Sequence, residues 1–154
     1  MGYDRLKAQE YAYKFALDRN KKYYDFSSIG GDCTNFVSQC LFAGVGQMNE
    51  KDWFYFSLNN RSPSWTGVNE LFSFLISNTS YGAKGEVCSF KDLEIGDIVQ
   101  LRQNERFSHS LFVTKTNKSI FSLADIFVST HSTDFLNIGL NNYSFREIRF
   151  IKIF

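Results

Sequence analysis

The chain has 154 residues, of which 44% are hydrophobic and 18% aromatic, and its formal net charge is +1. This composition excludes an intrinsically disordered chain, and the length suits one compact domain, expected to span residues 1–154. The near-zero charge gives no electrostatic reason to expect binding to nucleic acid or to an anionic membrane.

Apolar residues at helical spacing predict three helices in the first half of the chain. The three helices cover about residues 3–19, 33–43 and 66–77. The pattern then changes to period two, which is typical of strands. The predicted strands contain residues 98–101, 111–114, 126–129 and 148–153. Helices that precede an antiparallel sheet indicate an α+β domain.

The second predicted helix begins with a cysteine. Gly30 and Gly31 allow a sharp turn before it, and Asp32 is a good N-cap residue. A thiol in the first helical turn lies at the positive end of the helix dipole, which favours the thiolate and makes Cys33 a candidate nucleophile. The adjacent Asp32 carboxylate opposes this effect, so we expect a basic group near Cys33. The alternative interpretation is that Cys33 is simply the first buried residue of an amphipathic helix.

The two histidines of the chain are the candidate bases. His109 opens a predicted strand, and a helical Cys followed much later by such a His is the order expected of papain-like cysteine enzymes. If the two strands on either side of a turn near residues 117–121 are antiparallel neighbours, His131 lies opposite His109 and orients its ring. Asp134, just beyond that strand, is the alternative third residue. A further interpretation gives His131 no chemical role.

The three cysteines do not indicate a disulfide framework, because their number is odd. Cys40 lies seven residues after Cys33 and is expected to be buried on the same helix face, and Cys88 fits a structural role. No cysteine spacing matches a zinc site. A metal site formed by the two histidines and Asp134 is the less favoured alternative, because no open carboxylate pair is predicted around them. We therefore expect neither a metal nor a cofactor.

Several segments carry a resemblance to a known family. They are Tyr3-Asp4-Arg5, Asp32-Cys33-Thr34-Asn35-Phe36-Val37-Ser38-Gln39-Cys40-Leu41, Ser64-Trp65-Thr66-Gly67-Val68, Leu93-Glu94-Ile95-Gly96-Asp97-Ile98-Val99-Gln100-Leu101, Ser108-His109-Ser110 and Ser129-Thr130-His131-Ser132-Thr133-Asp134. In these segments the chain resembles the putative amidase domain family of Gram-positive bacteria. That family is a branch of the papain-like cell-wall amidohydrolases, which include the NlpC-type and CHAP-type enzymes.

The resemblance implies a papain-like fold, with N-terminal helices packed on a curved antiparallel sheet of about four to six strands. It implies cysteine-dependent cleavage of an amide bond, with bacterial cell-wall peptide as the expected substrate. It also implies that Asp32 binds the free amine of a stem peptide, for which the alternative is a plain N-cap role. NlpC-type enzymes commonly use a histidine as the third catalytic residue, so the resemblance favours His131 in that role.

Two features near the candidate site stay open from the sequence. Papain-like enzymes can use a side chain upstream of the cysteine as a second oxyanion donor. Here the upstream residues are Ser27 and Ser28, with no glutamine nearby, so this donor is unassigned. Trp65 is a candidate substrate-binding residue because aromatic side chains line many clefts, and its alternative place is the core.

The competing functional class is a non-hydrolytic binding or toxin-associated module on the same fold, or an acyl transferase. An intact Cys33/His109 pair favours the enzyme. The expected partner is a peptide or peptidoglycan-like substrate, with no nucleic acid and no membrane span, and the oligomeric state is open. No signal peptide opens the chain. We therefore expect a cytoplasmic protein if the chain is whole, and a secreted or cell-wall-associated one if it is a domain of a larger protein.

Overall fold

The structure, a computed structural model, describes residues 2–154. Four α-helices lie in the first half of the chain. They are α1 (Arg5–Phe15), α2 (Cys33–Val45), α3 (Pro63–Thr66) and α4 (Val68–Ser77). Eight strands complete the regular structure. They are β1 (Tyr55–Ser57), β2 (Asn60–Arg61), β3 (Gly85–Cys88), β4 (Ile98–Arg102), β5 (Phe107–Thr116), β6 (Ile126–Thr130), β7 (Phe135–Gly139) and β8 (Glu147–Ile153).

Six of the strands form one antiparallel sheet, in the order β3-β8-β4-β5-β6-β7. β1 and β2 form a separate two-stranded hairpin. The prediction of an α+β architecture, with helices first and an antiparallel sheet after them, is confirmed. The six strands lie at the upper end of the predicted range.

The sheet separates two apolar clusters. Successive side chains of a strand point to opposite faces, so β5 contributes Phe112 to one cluster and Leu111 and Val113 to the other. The first cluster contains the buried faces of α1, α2 and α4, and the second contains Leu140 from the chain that covers the other face. Residue parity along β5 therefore decides which face of the sheet a side chain occupies.

The ends of two helices differ from their predicted positions. α1 begins after Asp4, whose side chain accepts a hydrogen bond from the Lys7 backbone N–H, and it ends at Phe15 rather than near residue 19. The carbonyl oxygen of Phe15 accepts from a loop N–H instead of continuing the helix. The helix predicted at 66–77 is divided into α3 and α4 at Gly67, whose ψ of 130° is extended.

Two strands of the sheet were missed by the sequence pattern. β3 and β7 are the two edge strands, and each has one neighbour only. An edge strand that is buried on neither face over most of its length carries no clear apolar alternation. The predicted strands are the inner ones, β4, β5, β6 and β8, where both faces are covered.

Candidate active site

The turn before α2 places Cys33 at the N-terminal end of the helix. Gly30 and Gly31 have φ values of +99° and +100°, a region that glycine occupies without strain. A Cβ atom on Gly31 would lie 3.3 Å from the hydroxyl oxygen of Ser132. Cys33 is the first residue of α2, so its backbone N–H has no acceptor within the helix.

The prediction that the Asp32 side chain caps α2 is wrong. Asp32 occupies the N-cap position, but its carboxylate makes no capping hydrogen bond. It turns away from the helix and accepts from the backbone N–H of Phe26 at 2.8 Å and from the Asn35 side chain at 2.9 Å. Its second oxygen lies 2.5 Å from Nδ1 of His131. The first-turn N–H groups of α2 are therefore not occupied by this carboxylate.

Cys33 is packed against β5 and is only 7% exposed. Burial raises the pKa of its thiol, and the nearby backbone N–H of Ser110 and the Thr34 hydroxyl, 3.8 Å from Sγ, offset this only in part. The Asp32 charge raises the thiol pKa further. The thiol is therefore protonated near neutral pH, contrary to the expectation that the helix dipole favours the thiolate.

His109 is the residue directly before Ser110 on β5, and its side chain is half-buried. Burial lowers the pKa of the imidazole to about 4, so the ring is neutral near pH 7. The ring lies beside that of Tyr143, with 5.8 Å between the ring centroids. His109 thus combines an unprotonated ring with a position one residue from the group that faces the Cys33 thiol.

A cleft of about 380 Å³ opens beside His109. Its lining residues are Gln103, Ser108, His109, Ser132, Thr133, Phe135 and Tyr143. The turn after β6 forms one wall, and Ser132 and Thr133 there have φ values of +67° and +68°. Non-glycine residues in this region are uncommon and concentrate at functional sites, so the wall has an unusual backbone.

His131 does not lie against His109. Its ring is buried and stacks on Phe36 at 4.3 Å between centroids. Nδ1 lies 2.5 Å from the Asp32 carboxylate, and Nε2 lies 2.8 Å from the carbonyl oxygen of Phe15. Both ring nitrogens thus have oxygen partners inside the protein. His131 connects β6, α1 and the start of α2.

A one-residue register difference explains this position. β5 and β6 are antiparallel neighbours as predicted, but Phe112 pairs with Ser129, and a bulge interrupts the pairing between Val113 and Lys115. Extending this register sets His131 opposite Ser110 instead of His109. Because side chains alternate between faces, a shift of one residue carries the imidazole to the helix side of the sheet.

The alternative third residue, Asp134, is also occupied elsewhere. Its two carboxylate oxygens accept from the Arg19 guanidinium at 2.8 and 3.1 Å. Nε of Arg19 also lies 3.2 Å from Asp25 and 3.6 Å from Asp32. Asp134 therefore belongs to a charged group around Arg19 and does not contact His109.

The two candidate substrate-binding residues are fully buried. Trp65 is 0% exposed, lies 4.9 Å from the Trp53 ring and donates its indole N–H to Asn35. Asp32 is likewise 0% exposed and is held by internal partners. Of the two places considered for Trp65, the structure gives the core. Neither side chain reaches the cleft beside His109.

The family comparison agrees with the sequence resemblance at a general level. The family described as putative amidase domain matches residues 2–152. This chain belongs to that family. It is 35% identical over 130 residues to the uncharacterized protein YhbB of Bacillus subtilis (strain 168), which covers 80% of this chain and 40% of YhbB. It is 27% identical over 147 residues to the uncharacterized protein YjcM of the same strain, covering 89% of this chain and 32% of YjcM.

The amidase domain thus spans less than half the length of these two relatives. No solved structure matches it at a significant level. The family description indicates amide hydrolysis in general terms. Among residues 2–154, no helix has the length and apolar character of a membrane span. Within the same residues, no cluster of three or more His, Cys, Asp or Glu side chains is arranged to hold a metal ion.

A polar network behind Cys33 was not predicted. The Ser110 hydroxyl lies 2.9 Å from that of Thr34 and accepts from the Gln100 amide at 3.1 Å. Gln100 in turn accepts from Nε of Arg149 at 2.8 Å. The guanidinium of Arg149 lies 3.7 Å from the ring centre of Phe72, and 3.8 Å from that of a second phenylalanine. The one sequence feature that could have predicted this network is Gln100, a polar residue within an otherwise apolar strand segment.

Tyr143 is the other residue of the amidase domain that sequence reasoning missed. It follows a short 3-10 turn at Leu140–Asn142 and lies in the cleft beside His109. No hydrophobic periodicity or motif marks Tyr143 in the sequence, because it lies in a polar segment between two strands. Only the tertiary fold brings its ring to His109.

Proposed function

We propose that this chain is a cysteine-dependent amidohydrolase of papain-like fold, with Cys33 as nucleophile and His109 as general base. The observation that carries the proposal is the meeting of α2 and β5. The Cys33 thiol faces the backbone N–H of Ser110, and His109 is the preceding residue and borders an open cleft. A thiol at a helix N-terminus with a neutral imidazole nearby is the arrangement that nucleophilic catalysis uses.

The proposed reaction begins from a neutral thiol and a neutral imidazole. His109 takes the thiol proton as Sγ of Cys33 bonds to the amide carbonyl carbon, and the carbonyl π electrons move to the oxygen. The backbone N–H of Cys33 and the dipole of α2 stabilise this oxyanion. The C–N bond then breaks, and the amine leaves with the proton from His109. Water hydrolyses the resulting thioester.

The third residue of a triad is not part of this proposal. His131 and Asp134 each have partners away from His109. We instead infer that His131 is a positioning residue, which acts by holding Asp32 and with it the turn that presents Cys33. In the same way, the internal partners of Asp32 favour a structural role for this carboxylate over contact with a substrate amine.

The proposed substrate is an amide bond in bacterial cell-wall peptide, as in the NlpC-type and CHAP-type enzymes that the sequence resembles. The test is incubation with purified peptidoglycan and identification of new amino and carboxyl termini by mass spectrometry. We expect new termini with the unmodified chain and none with Cys33→Ala.

Thiol labelling tests the nucleophile and base directly. Near neutral pH, iodoacetamide is expected to label Cys33 about 10-fold or more faster than the other two cysteines, because His109 removes its proton during attack. Cys40 is 0% exposed, and burial raises the pKa of Cys88 to about 11. His109→Asn is expected to abolish the preference. Thr116→Ala, at the other end of β5, is the control and is expected to keep it.

The labelling result also distinguishes a cysteine-dependent enzyme from a non-hydrolytic binding module. Equal labelling of all three cysteines, or an unchanged preference in His109→Asn, contradicts the nucleophile–base assignment. That outcome favours a binding module on the same fold. Labelling at Cys33 with no new peptidoglycan termini retains the reactive pair but removes cell-wall peptide as the substrate.

A further inference from the structure

The hydroxyl of Tyr143 is buried without a hydrogen-bond partner among residues 2–154. The one other such side-chain atom in this part of the chain is Nε of Arg19, which lies 3.2 Å from the Asp25 carboxylate and so has an ionic neighbour. An unpaired buried hydroxyl costs about 1–3 kcal/mol of stability, and folded proteins contain few of them. We therefore look for a hydrogen-bond acceptor for the Tyr143 hydroxyl in a bound molecule, not in the folded chain.

The position of Tyr143 connects it to the candidate site. Its ring lies 5.8 Å from that of His109, and both residues line the same cleft. Burial raises the pKa of the Tyr143 hydroxyl to about 12, and the nearby Cys33 adds to this shift. Near neutral pH the hydroxyl is therefore a donor, held close to the proposed nucleophile and base.

The unpaired Tyr143 hydroxyl is a candidate for the second oxyanion donor, which the sequence left unassigned. Ser27, one of the two serines upstream of Cys33, donates its hydroxyl to Asp25 at 2.6 Å and accepts from Arg19. It is therefore occupied away from the thiol. The backbone N–H of Cys33 is the oxyanion donor proposed at the start of α2, and acyl transfer commonly uses two donors.

We propose that Tyr143 is a catalytic residue whose hydroxyl donates a hydrogen bond to the oxyanion formed when Cys33 attacks a carbonyl. This inference rests on the proposed function. In the step, the Sγ–C bond forms, the carbonyl π pair moves to oxygen, and the thiol proton passes to His109. Tyr143 keeps its own proton and donates a hydrogen bond. The acceptor that this hydroxyl lacks at rest thus appears only as the reaction proceeds.

Two reagents separate this role from an effect on the thiol. p-Nitrophenyl acetate acylates Cys33 through an oxyanion and releases p-nitrophenolate, whereas iodoacetamide alkylates it by displacing iodide at a saturated carbon. Loss of one oxyanion donor typically costs about 10²–10³-fold in rate. We expect Tyr143→Phe to slow acylation by about this factor and to leave alkylation of Cys33 unchanged.

Three comparisons complete the experiment. Tyr81→Phe removes a hydroxyl from an exposed tyrosine outside the cleft and is expected to change neither rate. His109→Asn is expected to slow both reactions. Tyr143→Phe is expected to unfold at the same urea concentration as the unmodified chain or a higher one, since the missing hydroxyl had no partner.

Each remaining outcome has one meaning. If Tyr143→Phe is acylated at the unmodified rate, or if it slows both reactions equally, the oxyanion role of Tyr143 is wrong while the Cys33–His109 pair stands. If His109→Asn leaves both rates unchanged, the proposed function fails, and the inference about Tyr143 fails with it.

Discussion

At the scale of single residues, burial decides the protonation states of the candidate site. It raises the pKa of the Cys33 thiol and lowers that of the His109 imidazole to about 4. Both shifts favour the uncharged form, because a partly dehydrated site penalises either charge. Near neutral pH the pair is therefore a thiol and a neutral imidazole, so the proposed reaction transfers the proton during the attack of Cys33 on the carbonyl.

The lowered pKa of His109 predicts a pH dependence of stability. The unfolded chain binds a proton at this residue near pH 6.5, whereas the folded protein binds it only near pH 4. The contribution of the neutral His109 ring to the free energy of unfolding is complete above pH 6.5 and is lost as the pH falls to about 4. Glu94, whose pKa is lowered from 4.5, loses its own contribution to stability only as the pH falls below about 4.5.

Urea unfolding of the unmodified chain and of His109→Asn, above pH 6.5 and at about pH 5, measures this effect. We expect a smaller loss of unfolding free energy in the variant across that interval. Thr116→Ala is the control and is expected to lose as much as the unmodified chain. Equal losses in all three proteins contradict the assignment to His109.

At the scale of elements, the end of β6 holds the beginning of α2. His131 contacts the Asp32 carboxylate, and the Ser132 hydroxyl accepts from the Asp32 backbone N–H at 3.0 Å. The carbonyl end of α1 completes the contact through Phe15. Three elements thus fix the turn before α2, and Cys33 lies at a helix end that these contacts hold in place.

His131→Ala is expected to destabilise the protein by about 3–5 kcal/mol, because it leaves the buried Asp32 carboxylate without its closest partner. The matched change at the other histidine, His109→Ala, removes a half-buried ring and is expected to cost much less. Urea unfolding measures both free energies. Similar values for the two variants contradict the holding role of His131.

A second readout covers the case in which His131→Ala does not fold. His131→Gln retains a donor at this position and is expected to recover part of the stability. In this variant, the rate of Cys33 alkylation is expected to fall further than that of Cys88, since the turn before α2 is loosened. An unchanged alkylation rate contradicts the positioning role.

At the scale of the whole molecule, one guanidinium joins the two ends of the chain to its middle. Arg5 donates to the Asp97 carboxylate at 2.8 Å, to the Ile95 carbonyl oxygen at 2.9 Å and to the carbonyl oxygen of Ile153. Asp97 is 0% exposed and also accepts from the backbone N–H groups of Ile153 and Glu94. The first helix, the entry to β4 and the last strand therefore share one buried carboxylate.

Arg5→Met is expected to cost about 3–5 kcal/mol of unfolding free energy, because Asp97 stays buried without its main cation. Arg102→Met removes the more exposed ion pair with Glu147 and is expected to cost about 1 kcal/mol or less. Urea unfolding of both variants is the measurement. A cost for Arg5→Met as small as that for Arg102→Met contradicts the central role of this pair.

Much of the architecture could be predicted because its signals are local. The helical spacing before α2, the glycines around it and the period-two pattern of β4, β5, β6 and β8 each lie within a short window. These signals were enough for the order of helices and strands and for the position of Cys33 at a helix start. The edge strands β3 and β7 were missed because partial burial leaves no such pattern.

The surroundings of the candidate site could not be predicted in the same way. The register of β5 and β6 sets His131 opposite Ser110 and on the side of Asp32, and no residue pattern in that hairpin predicts its bulge. Likewise Trp65 lies in the core, and Tyr143 reaches the cleft from a segment without a pattern. Each of these outcomes depends on residues distant in the chain.

The amino-acid sequence by itself determined the main helices, the four inner strands, their order and the position of Cys33 at a helix start, because periodicity and turn preferences act over a few residues. Only the tertiary structure decided which groups surround that thiol and how deeply it is buried, and burial raises its pKa. Register and hydration depend on contacts between distant segments, and a shift of one residue is enough to exchange the two faces of a sheet.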